Sequence, residues 1–291
     1  MTIQIVVPTK GCVNKCKFCV SRMHGNDYDN IFDVFQIKKR IKWAEKNGVD
    51  TCIITGTGEV FQNYHFLGRL ADIFKELNHP FPNVELQTSG VMLADSHEGF
   101  QHNLLISIYD NINILKELGV NTINLSVSNV FSSEINAEII GIPEKLKFDL
   151  DKRCFFIKTN GFNLRLSLSM TDDYDNVLPE NILQRAKDLG ANQVTFRKLY
   201  HGEDDSEQTK WVNEHACDPS VLFKINEYMS INGVQRYRLP FGAMVYSIMG
   251  MSVVVDDNCM NKNVTDKLKY AILRENGKLY SSWDDEGSII F

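Results

Sequence analysis

The chain has 291 residues, and its 31 Lys and Arg against 37 Asp and Glu leave a formal net charge of −6. With 43% hydrophobic and 23% charged residues it has the make-up of a folded globular protein, which excludes a largely disordered chain. The mild acidity argues against broad binding of nucleic acid or a membrane surface. No apolar run reaches the roughly 18 residues of a membrane span, and the first residues lack a secretion signal, which points to the cytoplasm.

Hydrophobic period divides the chain into elements. Residues 3–7 are a short apolar run ending at Pro8 and read as a strand. Residues 31–47 read as a helix, with Ile31, Val34, Phe35, Ile41 and Ala44 on its apolar face and Gly48 at its end. A strand over 51–55, a helix over 64–77, a strand over 84–88, a short helix over 112–118 and a strand over 122–128 follow. A helix is expected over 143–152, a strand over 164–170, a helix over 179–189 with Pro179 in its first turn, a strand over 193–199 and a helix over 219–231. Past Gly233 the alternation stops. Residues 251–255, 269–273 and 279–283 read as strands, with a turn over 274–278.

Six strand–helix units make the class α/β, with a parallel sheet or barrel over residues 1–233. Residues 234–291 read as a small antiparallel appendage that caps it. Three strands alternate in polarity: Val84 and Leu86 against Glu85 and Gln87, Ile123, Leu125 and Val127 against Asn124, Ser126 and Ser128, and Leu164, Leu166, Leu168 and Met170 against Arg165, Ser167 and Ser169. A parallel strand buried on both faces is apolar almost throughout, so the polar face must line something wet or a polar ligand. A barrel with a polar lumen fits; the plainer alternative is an antiparallel sheet with one solvated face.

The seven cysteines are an odd set with no secretion signal, which points away from a disulfide framework. Cys52 and Cys154 sit in or beside apolar runs and read as inert buried thiols, while Cys217 and Cys259 are too few and too far apart for a cluster. The other three form Cys12-Val13-Asn14-Lys15-Cys16-Lys17-Phe18-Cys19, directly after the first strand. Three thiolates on one loop can converge on an iron–sulfur cluster, and with four irons one is left open. A structural zinc site would want a fourth ligand, which His24 could supply.

This loop, with Phe18 before the third cysteine, resembles that of the radical S-adenosylmethionine (radical SAM) superfamily. Thr55-Gly56-Thr57-Gly58-Glu59, at the end of the second strand, is similar to the family's Gly-Gly-Glu motif, with Thr57 in place of the first glycine of the pair. The six-unit plan matches the family's partial (β/α)6 TIM-like barrel.

The resemblance implies one 4Fe–4S cluster on Cys12, Cys16 and Cys19, sensitive to oxygen, whose open iron chelates the methionine part of SAM. One electron, from a donor such as flavodoxin or ferredoxin, then breaks the sulfonium–C5′ bond, and the 5′-deoxyadenosyl radical takes a hydrogen atom from the substrate. The cofactor carries this chemistry and the protein supplies position and exclusion. Phe18 corresponds to an adenine contact. Gly58 and Glu59 match the element that receives the SAM amino group. Thr88 and Ser126 resemble strand-end positions holding the methionyl part and ribose. Arg165 either grips the SAM carboxylate or forms an ion pair, with Glu85 a candidate partner. Arg197 and Lys198, on the sixth strand, are candidates for an anionic substrate group.

His97, Glu98 and His102 read as a solvated loop rather than a second metal site, and the run from His201 to Asp205 as a rim facing water. With the cluster starting at Cys12 there is no room before it for a leader-peptide or cobalamin domain, which favours a polar small-molecule substrate, nucleotide-like or anionic. The alternatives are an activase or modifier of a protein, peptide or tRNA, and a non-catalytic zinc or iron–sulfur protein. The tail over 268–280 vaguely resembles the C-terminal hairpin of the GTP-cyclase branch, with Ser281 and Ser282 where that branch has cysteines.

Overall fold

The computed structural model describes residues 1–23, 33–93, 108–239, 242–256, 268, 270–283 and 285–291. The first unit runs from β1 (Thr2–Val7) through the cysteine loop and α1 (Val20–Met23) to α2 (Val34–Lys46) and β2 (Thr51–Gly56). Next come α3 (Tyr64–Glu76), β3 (Asn83–Thr88), α4 (Ile108–Glu117) and β4 (Thr122–Val127). Then follow α5 (Ser133–Ile140), α6 (Leu150–Thr159), β5 (Asn163–Met170), α7 (Pro179–Asp188), β6 (Gln193–Lys198), α8 (Glu207–His215) and α9 (Pro219–Asn232). The last strands are β7 (Val234–Arg238), β8 (Met244–Ile248), β9 (Met251–Asp256), β10 (Tyr270–Leu273) and β11 (Leu279–Tyr280). No helix among the described residues is long and apolar enough to cross a membrane.

The eleven strands among the described residues form one open sheet in the order β11-β10-β1-β2-β3-β4-β5-β6-β9-β8-β7. Strands β1 to β6 are parallel neighbours in chain order, as six consecutive β/α units require. The strands beyond Gly233 extend this sheet at both edges. β9 joins β6 in parallel and carries β8 and β7 as antiparallel neighbours, while β10 joins β1 in parallel and carries β11 antiparallel.

One face of the sheet is apolar and packs under the helices. Ile3, Ile5 and Val7 of β1, Leu86 of β3, Leu125 of β4 and Leu166 of β5 share a single core with Ile37, Ile41 and Ala44 of α2, Leu67 and Leu70 of α3 and Ile182 of α7. Burying each such side chain contributes roughly 1.5–3 kcal/mol. Phe35 falls outside the stripe and is 70% exposed. Asp33 caps the helix through Gln36 N, and the buried positions then recur at 37, 41 and 44.

The helix expected over 143–152 forms only from Leu150 onward, as the start of α6, while α5 lies before that range and outside the sequence expectation. Ser132 caps α5 through Ile135 N, and Gly141, at φ 64°, ends it in the left-handed conformation. A single 3₁₀ turn spans Glu144–Leu146, and Asp149 caps α6 through Lys152 N. α8, β7 and β8 also lie outside the sequence expectation. α8 is a cap-driven helix, with Ser206 accepting from Thr209 N, and β7 is an edge strand with all five residues exposed, so neither carries a clear apolar period.

Candidate active site

The cysteine loop leaves the C-terminal end of β1, where parallel strands converge their loops on one rim. Its backbone is pinned at several points. Lys15 N donates to Gly141 O at 3.0 Å and Lys17 N to Ile139 O at 3.0 Å. Val13 N donates to Gln62 Oε1 at 2.8 Å, Asn14 Nδ2 to Ser89 Oγ at 2.8 Å and Arg22 Nη2 to the Asn14 carbonyl at 3.1 Å. The approach to α5 is tight: a Cβ on Gly141 would lie 2.4 Å from Lys15 O. Cys12, Cys16 and Cys19 are all partly exposed.

Burial pushes the Cys12 and Cys16 thiols up, and the neighbouring acidic groups push them further: Glu59 and Cys19 at Cys12, Cys19 and Cys12 at Cys16. A thiolate in that setting needs a cation, which iron would supply. Two buried polar atoms beside the loop, Thr9 Oγ1 and Asn14 Oδ1, have no hydrogen-bond partner in the protein. Buried polar groups are normally satisfied, so orphans flanking Cys12 fit a polar ligand there. Among the described residues no three His, Cys, Asp or Glu side chains are gathered closely enough for one metal ion. A four-iron cube holds its thiolates further apart than a single zinc does. His24, the fourth zinc ligand considered, and His97, Glu98 and His102 lie outside the described residues, as does Cys259.

The Gly56–Glu59 turn abuts this loop. A Cβ on Gly58 would stand 2.5 Å from Thr9 Oγ1 and 2.6 Å from Gly11 O, so only glycine fits. Glu59 is 3% exposed and accepts from Thr88 Oγ1 at 2.6 Å, Ser89 Oγ at 2.5 Å and Ser89 N at 3.0 Å. Burial raises its pKa, and the bonds from Ser89 and Thr88 oppose that rise. Its carboxylate therefore ties the turn to the end of β3. Thr88 is in register with Leu125 on the helix-covered side, and its hydroxyl goes to Glu59.

The uncovered face is polar in register from strand to strand. Gln87 aligns with Asn124, Asn124 with Arg165, and Arg165 with Gln193, while Ser126, Ser167 and Thr195 form the next row. Arg165 pairs with Glu85, which also accepts from Asn124 Nδ2 at 3.0 Å, and Arg165 Nε donates to Gln193 Oε1 at 2.6 Å. Of the two roles considered for Arg165, the ion pair with Glu85 is formed. Nearer the C-terminal lip, Arg197 Nε donates to Ser167 Oγ at 3.2 Å, and Arg197 Nη1 lies 3.9 Å from the buried Asp256. Lys198 is exposed at the strand end. Phe18 faces Trp211 of α8 at 6.2 Å, and Trp211 stacks on His215 at 4.8 Å.

The structure thus gathers the cysteines, Gly58, Glu59 and Thr88 in one corner, and places Ser126, Arg165 and Arg197 along the polar face. Sequence reasoning missed Asn14, Gln62, Ser89, Trp211 and Asp256. Of these only Asp256, a charge closing the apolar run of β9, carries a signal in the chain itself. The isolated thiols read as expected. Cys52, Cys154 and Cys217 are buried, and burial pushes Cys154 to about 12 and Cys217 to about 11.

Residues 6–145 match the family model of the Radical SAM superfamily. The chain is 27% identical over 174 residues to 5-amino-6-(D-ribitylamino)uracil–L-tyrosine 4-hydroxyphenyl transferase of Methanocaldococcus jannaschii, covering 58% of this chain and 45% of that one. It is 26% identical over 141 residues to the enzyme of the same name from Methanococcus maripaludis, covering 48% of this chain and 38% of that one. The chain therefore spans less than half the length of these curated relatives. Among solved structures it is similar to anSMEcpe with bound AdoMet, at TM-score 0.61 and 12% identity over 99% of this chain and 77% of that one. It is also similar to Streptococcus suis SuiB bound to precursor peptide SuiA, at TM-score 0.57 and 15% identity over 96% and 58%. At these identities the two structures show the shared fold: a parallel partial barrel, left open, with added C-terminal strands.

Proposed function

We propose that this chain, whose residues 6–145 match the Radical SAM superfamily model, is a radical SAM enzyme holding one 4Fe–4S cluster on Cys12, Cys16 and Cys19. When bound, the cluster and SAM supply one electron to the sulfonium and so a carbon radical that removes hydrogen from substrate. The chain's own residues supply the setting. Three thiols for four irons leave one iron for SAM. Gly58 lets the turn lie against the cluster loop, and Glu59 fixes that turn to Thr88 and Ser89 at the site wall. Phe18 and Ser126 are offered as contacts to adenine and ribose. Arg165, engaged with Glu85 and Gln193 on the polar face, is offered as a grip for the SAM carboxylate.

Residues 1–233 form the catalytic part on this reading, with 234–291 bracing its edges. The substrate is a polar small molecule. The relatives named above are named for tyrosine and an aminouracil, and the polar face here ends in Arg197 and Asp256, charges suited to an ionic or zwitterionic group, while Lys198, in register with Met170, belongs to the other face of β6. A soluble one-electron donor such as flavodoxin or ferredoxin is the required partner.

The observation that carries the reading is the cysteine loop packed against Gly58 with orphaned polar atoms beside Cys12. Its test is anaerobic reconstitution. The expected result is about four irons per chain, as the cluster type requires, and dithionite-driven cleavage of SAM to 5′-deoxyadenosine. Cys16→Ala should lose both, and a variant that still cleaves SAM would remove Cys16 from the ligand set. Cleavage stimulated by a peptide but by neither L-tyrosine nor the aminouracil would sink the small-molecule half.

A further inference from the structure

Three consecutive residues of the turn after β2 reach three separate parts of the chain. Gly58 backs onto the cysteine loop and Glu59 holds the end of β3. Thr57 donates its hydroxyl to Glu275 Oε1 at 2.6 Å, across 218 residues of sequence. Topology makes the contact possible. β10 runs parallel to β1, with Ile5 opposite Leu273, so the residues after Leu273 emerge on the same rim as the cysteine loop.

Glu275 is presented by a well-built turn. Arg274 N donates to Lys278 O at 3.0 Å and Gly277, at φ 75°, donates to Arg274 O at 2.9 Å. Asn276 Oδ1 accepts from Lys278 N at 3.0 Å, and Asn276 Nδ2 donates to Tyr280 Oη at 2.9 Å. The Arg274 guanidinium lies 3.8 Å over the Tyr280 ring and donates to Ser282 O at 2.8 Å and Glu286 Oε1 at 2.8 Å. The acceptor is thus held on both flanks. The donor, Thr57, sits between Gly56, paired with Val7 at the end of β2, and Gly58, packed on the cysteine loop, so its hydroxyl ties that turn to the hairpin.

We propose that Glu275 is a positioning residue for SAM: by accepting the Thr57 hydroxyl it fixes the Gly56–Glu59 turn against the cysteine loop, so that the C-terminal hairpin sets SAM affinity. This rests on the radical SAM reading above. Glu275 touches no reacting atom and acts through Thr57.

The test uses reconstituted full-length protein and follows SAM binding by calorimetry and by the change SAM makes in the paramagnetic signal of the reduced cluster. Thr57→Val, which keeps the side chain's shape and removes the donor, should weaken SAM binding about 10- to 100-fold, the fold-change expected for one charge-assisted hydrogen bond. Glu275→Ala should do the same, and the double variant should be no worse than either alone. Thr57→Ser, which keeps the donor, should bind as wild type, and Glu275→Gln, which keeps only a neutral acceptor, should lose less than Glu275→Ala. In the cofactor-free protein, Glu275→Ala should speed hydrogen exchange at 56–59. Unchanged SAM affinity in Thr57→Val, or additive losses in the double variant, would overturn the proposal. A wild-type protein that holds its cluster and binds no SAM would instead overturn the underlying reading.

Discussion

Gly58 shows how little room the site leaves. Its missing Cβ would meet a threonine oxygen, a backbone carbonyl and the Cα of Cys12, the nearest at 2.5 Å. The threonine can rotate, but the carbonyl of Gly11 cannot move without dragging the first cysteine. Gly58→Ala should therefore destabilise the protein by about 1–3 kcal/mol, the usual cost of overpacking. It should also yield fewer irons per chain after reconstitution, measured by thermal melting and iron assay. Full iron loading with unaltered SAM binding would show that the loop yields freely. The glycine was legible in the sequence as part of a motif, but its partner Thr9 was not. The reason is that Thr9 acts through proximity to Gly58, and nothing in its own neighbours marks it.

At the scale of elements, the caps and the polar alternation were readable and the tertiary ties were not. The strands from β1 to β6 follow directly from apolar runs and their flanking turns. α5 was missed because Ser132, its cap, and Gly141, its stop, enclose only eight residues, a length at which periodicity says little. What orders this region is contact. Arg185 of α7 makes two bonds to the Asp151 carboxylate of α6, at 2.8 and 2.7 Å, and a third to Val130 O at 3.0 Å. The bonds from Arg185 hold Asp151 below the ordinary carboxylate range. A carboxyl with a depressed folded pKa adds stability above its unfolded value, near ~3.9, and loses it as the pH falls through the folded one. Asp151 is half-exposed, so solvent screens the pair. Asp151→Asn should cost about 0.5 kcal/mol at neutral pH. In urea titrations that difference should shrink toward zero as the pH falls below ~3.9. A gap that persists in acid would mean the charge is irrelevant.

The first and last strands among the described residues share one sheet and its main core. Leu273 and Leu279, from the last strands, belong to the same buried cluster as Ile3, Ile5 and Val7 of the first. Leu279→Ala should therefore cost about 2–5 kcal/mol, as for a fully buried leucine. Hydrogen exchange should accelerate in β1 and β10 together; loss of protection confined to 270–291 would show an independent tail. The order β10-β1-β2 also governs biogenesis. The first strand and the cysteine-bearing segment leave the ribosome before the flanking strand, which is made after the 262 residues between Val7 and Tyr270. At elongation rates of about 5–20 residues per second, the nascent first strand keeps one bare edge for on the order of 10–50 s. Until then the bare edge is a place for chaperones to guard.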